Sequence, residues 1–120
     1  MDHSTSRRDL VRAIREGIAM LTVGLIDAAG RSAGPGSAIS IDGGLSQSDD
    51  FAQFLASASD RSIRIPPMHE LTAIGLAEFC GVDVASSRTP ARTFVPDGSV
   101  TEAHHALFAE AVSRAQSWRS

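Results

Sequence analysis

The chain has 120 residues, enough for one domain and too few for two. Acids exceed bases: 14 Asp and Glu stand against 11 Arg, giving a formal net charge of −3, and the 42% apolar and 21% charged shares are those of an ordinary globular chain. The complete absence of Lys excludes a Walker A lysine, Schiff-base chemistry and a lysine general base, the absence of Tyr excludes a tyrosine proton donor, and the single Cys80 allows neither an intrachain disulfide nor a paired-thiolate zinc site.

An acidic chain with no basic stripe is unsuited to nucleic acid. The most apolar run, residues 18–29, is shorter than the roughly 20 residues that a membrane span needs. The N-terminus has no signal-peptide layout, so no membrane contact and a cytoplasmic location are expected.

The first periodic segment runs from about Arg7 to Ala28. Leu10, Ile14, Ile18, Leu21 and Leu25 fall at spacings of 4, 4, 3 and 4, which predicts a helix with these residues on its buried stripe. Ser6 and Asp9 form a capping-box pattern at its start, and Ala29-Gly30 with Ala33-Gly34-Pro35-Gly36 predict its end. A strand over 38–42 follows and closes in Gly43-Gly44. A second helix starts at Ser48-Asp49-Asp50, its two acids suiting the positive end of the helix dipole. Its apolar face is Phe51, Phe54, Leu55 and Ala58. Residues 62–65 form a second strand, ended by Pro66-Pro67. A third helix spans roughly Glu70 to Phe79, with Leu71, Ile74 and Ala77 inward and Gly81 as C-cap.

Residues 83–98 show no period and contain Pro90, Pro96 and Gly98, so they are expected to be irregular. Ser99 and Glu102 make a Ser-x-x-Glu capping box for the last helix, with Leu107, Phe108, Ala111, Val112, Ala115 and Trp118 as its buried side. Alternating helices and strands imply an α/β fold with a parallel strand pair. Two strands are few for such a sheet, so strands come from another chain or the segment is part of a larger domain.

The unit strand–Asp42-Gly43-Gly44–helix is the most informative local feature. In open α/β sheets ligands sit beyond the carboxyl ends of strands, and glycines there allow close backbone approach. The same turn also serves a plain strand-to-helix connection, and these residues alone leave both uses open. The run Ile39-Ser-Ile-Asp-Gly-Gly-Leu-Ser46 has a look-alike at the end of short-chain dehydrogenases. That family needs a catalytic Tyr and Lys, and the chain has neither.

Four segments in order resemble the FGGY-type carbohydrate kinases. Arg12-Ala-Ile-Arg-Glu-Gly-Ile-Ala19 is similar to their Arg-Ala-x-x-Glu-Gly-x-Ala helix. Ile39–Ser46 with Phe51-Ala-Gln-Phe-Leu-Ala56 resembles their adenosine segment. Ser62-Ile-Arg-Ile-Pro66 with Glu70-Leu-Thr-Ala-Ile-Gly75 resembles the segment that follows it. Phe94-Val-Pro96, then Phe108, Ala111-Val112, Arg114-Ala115 and Trp118, resembles the last helix of glycerol kinases in particular.

The resemblance implies part of an actin-like ATPase, ribonuclease-H-like domain. Residues 1–120 would form the C-terminal portion of the second, ATP-binding domain. It implies an ATP-dependent carbohydrate or polyol kinase that transfers the γ-phosphoryl of ATP, with Mg²⁺, to a hydroxyl. It also places the phosphate hairpins, sugar site and catalytic Asp in a preceding part of the enzyme, so no residue of this chain is assigned to bond-making and the isolated chain is expected to be inactive.

By the resemblance, Gly44 is the glycine whose backbone touches the nucleotide, Gly43 is its partner in the turn, and Ser48 stands near the adenine where glycerol kinases usually carry Asn. Gln53 and the small residues Thr72, Ala73 and Gly75 match structural positions, the latter three letting a helix pack close on the sheet. Leu76 stands where Ala is commoner, and the region after Cys80 is shorter than in glycerol kinases.

His104 and His105 are adjacent and cannot share one metal as an i, i+4 pair would. With His3 and His69 also isolated, no metal site is expected. Cys80 is expected in the core. The alternative function is a non-catalytic, self-associating module derived from a kinase half-domain. Homo-oligomers are expected under either reading, since a short sheet needs cover on its faces and edges.

Overall fold

The computed structural model describes residues 4–33, 38–67, 71–83 and 91–118. Four helices and three strands follow in the order α1 (Arg7–Ala33), β1 (Ile39–Ser40), α2 (Asp49–Ser59), β2 (Ile63–Ile65), α3 (Leu71–Phe79), β3 (Arg92–Phe94) and α4 (Glu102–Ser117). The sheet order is β1-β2-β3. β1 runs parallel to β2, with Ile39 opposite Ile63, and α2 makes the crossover between them. β3 is antiparallel to β2, with Ile63 opposite Phe94 and Ile65 opposite Arg92. β2 is therefore the central strand, and Ile63 and Ile65 are buried while Arg64 between them is exposed, the alternation that one covered face demands.

The core joins Ala19, Met20 and Val23 of α1 to Phe51, Ala52, Leu55, Ala56 and Ala58 of α2 and to both isoleucines of β2. α2 packs against α1, the sheet and the segment after β3, and it is buried around most of its circumference. Ser48 caps it, its Oγ accepting from the Phe51 amide at 3.3 Å. Asp60 in the left-handed region ends it, with its N–H donating to the Ala56 carbonyl. The Ser6–Asp9 capping box forms as expected: the Ser6 amide donates to Asp9 Oδ2 at 2.8 Å, and the Asp9 amide donates to Ser6 Oγ at 3.2 Å. Bonds from Ser6 hold the Asp9 carboxyl below its usual range. At the end of α3, Gly81 at φ +82° lets its own amide reach the Glu78 carbonyl and that of Val82 reach Ala77, a Schellman closure.

Several expectations are corrected. α1 continues through Gly30 to Ala33, because one glycine weakens a helix without stopping it and the Arg61 guanidinium lies over the gap that Gly30 leaves. The expected stripe Leu10, Ile14, Ile18, Leu21 and Leu25 is exposed, and a second face of Ala19, Met20, Val23 and Ile26 is packed instead. The stretch expected to be irregular contains β3, too short to show a period of two. α4 starts at Glu102 with Thr101 as its cap. The His104 ring nitrogen accepts from the Thr101 amide at 3.0 Å, so His104 fills the role expected of Glu102.

No residue of α4 is buried: Phe108 and Val112 are half-covered and Leu107 is open, as is Trp118 just beyond the helix. Cys80 is exposed at the end of α3 rather than in the core. Thr72, Ala73 and Gly75 are exposed too, so the small-residue face of α3 does not pack on the sheet. The Glu70 start of α3, together with His3 and His69, lies outside the described residues. The radius of gyration, 17.3 Å, exceeds the roughly 14 Å of a compact chain this long.

Candidate nucleotide-contact turn

β1 ends in the turn that carries the expected contact residues. Gly43 sits at φ +98°, ψ −179°, a conformation essentially reserved for glycine. It redirects the chain into a 3-10 turn, Gly44–Gln47. The Gly43 carbonyl accepts from the Ser46 amide at 3.1 Å and from its hydroxyl at 2.6 Å, which satisfies the one deeply buried serine of the turn. The Ser48 amide then donates to the Leu45 carbonyl at 3.1 Å, and α2 begins. Gly43, Gly44 and Ser48 thus lie on one short, tightly bonded loop.

Gly44 is exposed, without the positive φ of Gly43, and a Cβ placed on it would meet nothing within 4 Å. Its backbone is open to a ligand, and among the described residues no contact requires glycine there. Ser48 is half-buried. Its hydroxyl oxygen accepts from the Phe51 amide and from Arg15 Nη1 at 3.1 Å. Both acceptor sites are therefore used, and toward a ligand Ser48 acts as a donor.

Two arginines buttress the turn, and the sequence reading did not single them out. Arg15 on α1 reaches Ser48 and lies 4.0 Å from Asp50. Arg92 on β3 pairs with Asp49, donates to the Ser46 carbonyl at 3.5 Å and lies 5.9 Å from the Phe94 ring centroid. Their partners are 33 and more than 40 residues away, so no local spacing could signal them. Asp49 and Asp50 are exposed in the first turn of α2, as expected, and both face arginines.

Gln53 donates to the Val95 carbonyl at 2.8 Å, and the buried Ser57 hydroxyl donates to Asp97 Oδ1 at 2.6 Å. The Ser57 bond, with further ones from Ser99, lowers the Asp97 carboxyl to about 2. These bonds fix the segment after β3 against α2.

A cavity of 360 Å³ lies between α1 and α2, bordered by Arg12, Arg15, Glu16, Asp50, Phe51, Gln53, Phe54 and Ser99. Gly43, Gly44 and Ser48 do not line it, so the turn and the cavity are separate features. Among the described residues no three His, Cys, Asp or Glu gather as a metal site, and no helix is long and apolar enough to cross a membrane.

Residues 1–84 match the model of the FGGY family of carbohydrate kinases, C-terminal domain. The chain belongs to this family. The FGGY chain is 30% identical to a glycerol kinase of Halorhodospira halophila, over 98% of its own length and 25% of that protein. It is 29% identical to one of Pasteurella multocida, over 98% and 26%. It thus spans about a quarter of the length of these curated relatives.

Among solved structures it resembles Plasmodium falciparum glycerol kinase crystallised with ADP, at TM-score 0.69 and 22% identity, covering 98% of this chain and 25% of that one. It also resembles a xylulose kinase of Brucella ovis, at TM-score 0.59 and 22% identity, covering 99% and 26%. At this identity the likeness establishes the fold. The three-stranded sheet and its helices are part of an actin-like ATPase domain.

Proposed function

We propose that residues 1–120 are the C-terminal portion of the second, ATP-binding domain of an ATP-dependent carbohydrate or polyol kinase, most similar to glycerol kinase, and that the Gly43–Ser48 turn holds the adenosine end of ATP. The supporting observation is Gly44: an exposed backbone with room beside it, at the carboxyl end of a strand, on a chain of the FGGY family. Gly43 shapes the turn, and Ser48 offers its hydroxyl proton to an acceptor on the nucleoside. The sugar or polyol, the catalytic Asp and the phosphate contacts belong to the rest of such an enzyme.

The reaction passes the γ-phosphoryl of ATP to a substrate hydroxyl, and Mg²⁺ would offset phosphate charge. The described residues do not fit a Mg²⁺ site, so no step is assigned to the metal in this chain. What this chain contributes is position: it holds one reactant so that the other can meet it in line. On its own it turns over no substrate and binds nucleotide weakly, because adenosine contacts without phosphate contacts leave most of the affinity unmade. The setting is cytoplasmic, without nucleic acid or membrane.

The test is Gly44→Val in a complete enzyme containing this segment. The KM for ATP should rise well above that for the sugar, with the fold intact. An unchanged KM for ATP in a well-folded variant would reduce Asp42-Gly43-Gly44 to a turn.

A second reading, a self-associating module derived from a kinase half-domain, is favoured by one observation: the outward face of α1 is apolar and exposed.

A further inference from the structure

α1 has two apolar faces on opposite sides. One, with Ala19, Met20, Val23 and Ile26, packs into the core. The other consists of Val11, Ile14, Ile18, Leu21, Leu25 and Ala28, at spacings of 3, 4, 3, 4 and 3. All six are exposed, the five large ones from 38% at Ile18 to 72% at Leu25. These spacings are the a and d positions of a heptad, the seam that a partner helix covers. Soluble monomers leave single large apolar side chains in water, whereas an ordered seam about 27 Å long marks an interface.

The pattern of the seam selects its occupant. The spacing reads the same from either end, so a second copy can match every layer in either direction; antiparallel, it sets Val11 against Ala28, Ile14 against Leu25 and Ile18 against Leu21. Charge favours the antiparallel direction. Arg7 and Arg8 continue the seam at its d and e positions at the start of α1, whereas Arg12, Arg15 and Glu16 line the cavity against α2; the second half carries Asp27 and Arg31. Parallel pairing would put two basic starts side by side. Antiparallel pairing puts each beside a neutral half and the negative end of a helix dipole.

The flank of the seam fits as well. Leu10, Gly17 and Gly24 border it at heptad spacing, and the same register brings Gly17 of each copy near Gly24 of the other; a Cβ at either would meet nothing within 4 Å, so the helices can approach closely along this edge. Gly24 opens onto a groove of 420 Å³ between α1 and α4, lined in part by Leu21, Phe108 and Val112. We infer that two copies of this chain associate through antiparallel α1 helices along Val11–Ala28. This rests on the self-association reading above and is independent of nucleotide contact.

Sedimentation velocity over a concentration series tests it. The wild type should be a dimer that dissociates on dilution. Leu21→Glu should be monomeric with unchanged helical circular dichroism, since Leu21 is 60% exposed, and Leu25→Glu should behave alike. Phe79→Glu, at an exposed site on α3, should stay dimeric. A dimer unaffected by both seam variants would overturn the interface while leaving self-association standing. A wild-type monomer at every concentration would overturn both and assign the seam to another part of a kinase. For orientation, Ile14→Cys and Leu25→Cys proteins are mixed under oxidation in a Cys80→Ser background. A mixed disulfide between them is expected, and disulfides only between identical copies would overturn the antiparallel arrangement.

Discussion

α1 and α2 both show apolar residues at helical spacing, yet they behave differently in the folded chain. The expected face of α2, Phe51, Phe54, Leu55 and Ala58, is buried or half-buried against α1 and the sheet. The expected face of α1 lies in water. Periodicity identifies a face that needs cover; it says nothing of where the cover comes from. α2 finds it within the chain because it is the crossover of a parallel strand pair, with α1 near at hand. Among the described residues the outer face of α1 has no such neighbour, and neither do Leu76 and Phe79 of α3 or Leu107 and Trp118 at α4.

The largest effect that sharpens this contrast is in the core. Leu55 is fully buried, so Leu55→Ala should cost about 2–5 kcal/mol and unfold much of the population. Leu25→Ala, at 72% exposure, should stay within about 0.5 kcal/mol under conditions where the chain is monomeric. Urea titrations followed by circular dichroism compare the two. Equal losses would break the distinction between an internally covered helix and one awaiting a partner.

Next in size is a contrast inside the turn. Gly43→Ala places a Cβ at φ +98° and should cost about 1–3 kcal/mol. Gly44→Ala meets neither strain nor neighbours and should leave the melting temperature unchanged. If both glycines proved equally costly, Gly44 would serve the fold rather than a ligand.

The smallest effect concerns Asp97. Its carboxyl is lowered from 3.8 to about 2, first by the Ser57 hydroxyl and then by Ser99. A lowered folded value means that the contribution is present above about pH 4 and is lost as pH falls from there toward 2. The Ser99 amide resonance should report that midpoint, and Ser57→Ala should move it up toward 3.8. An unchanged midpoint would detach the segment after β3 from α2.

These contrasts also mark what was legible in the residues. The Ser6–Asp9 cap, the start of α2 at Ser48 and the Gly81 closure depend on neighbours close in sequence, while the parallel pair and the buried face of α2 follow from the alternation of elements and from helical spacing; all formed as expected. β3 escaped because three residues carry no period, and its place depends on pairing with β2. The cap of α4 escaped because His104 fills a role more familiar in Glu. At the turn, Gly43, Gly44 and Ser48 were legible from the motif, whereas Arg15 and Arg92 reach it only through the tertiary fold.

The central claim is that the open turn after β1, rather than the cavity between α1 and α2, meets the nucleotide. Titrating the chain with ADP while following backbone amide resonances tests it most directly. The account predicts weak, saturable shifts concentrated at Gly43, Gly44, Ser46 and Ser48, abolished by Gly44→Val in a protein of unchanged fold. Shifts confined to Arg12, Arg15, Phe51 and Phe54, or persisting undiminished in Gly44→Val, would contradict it.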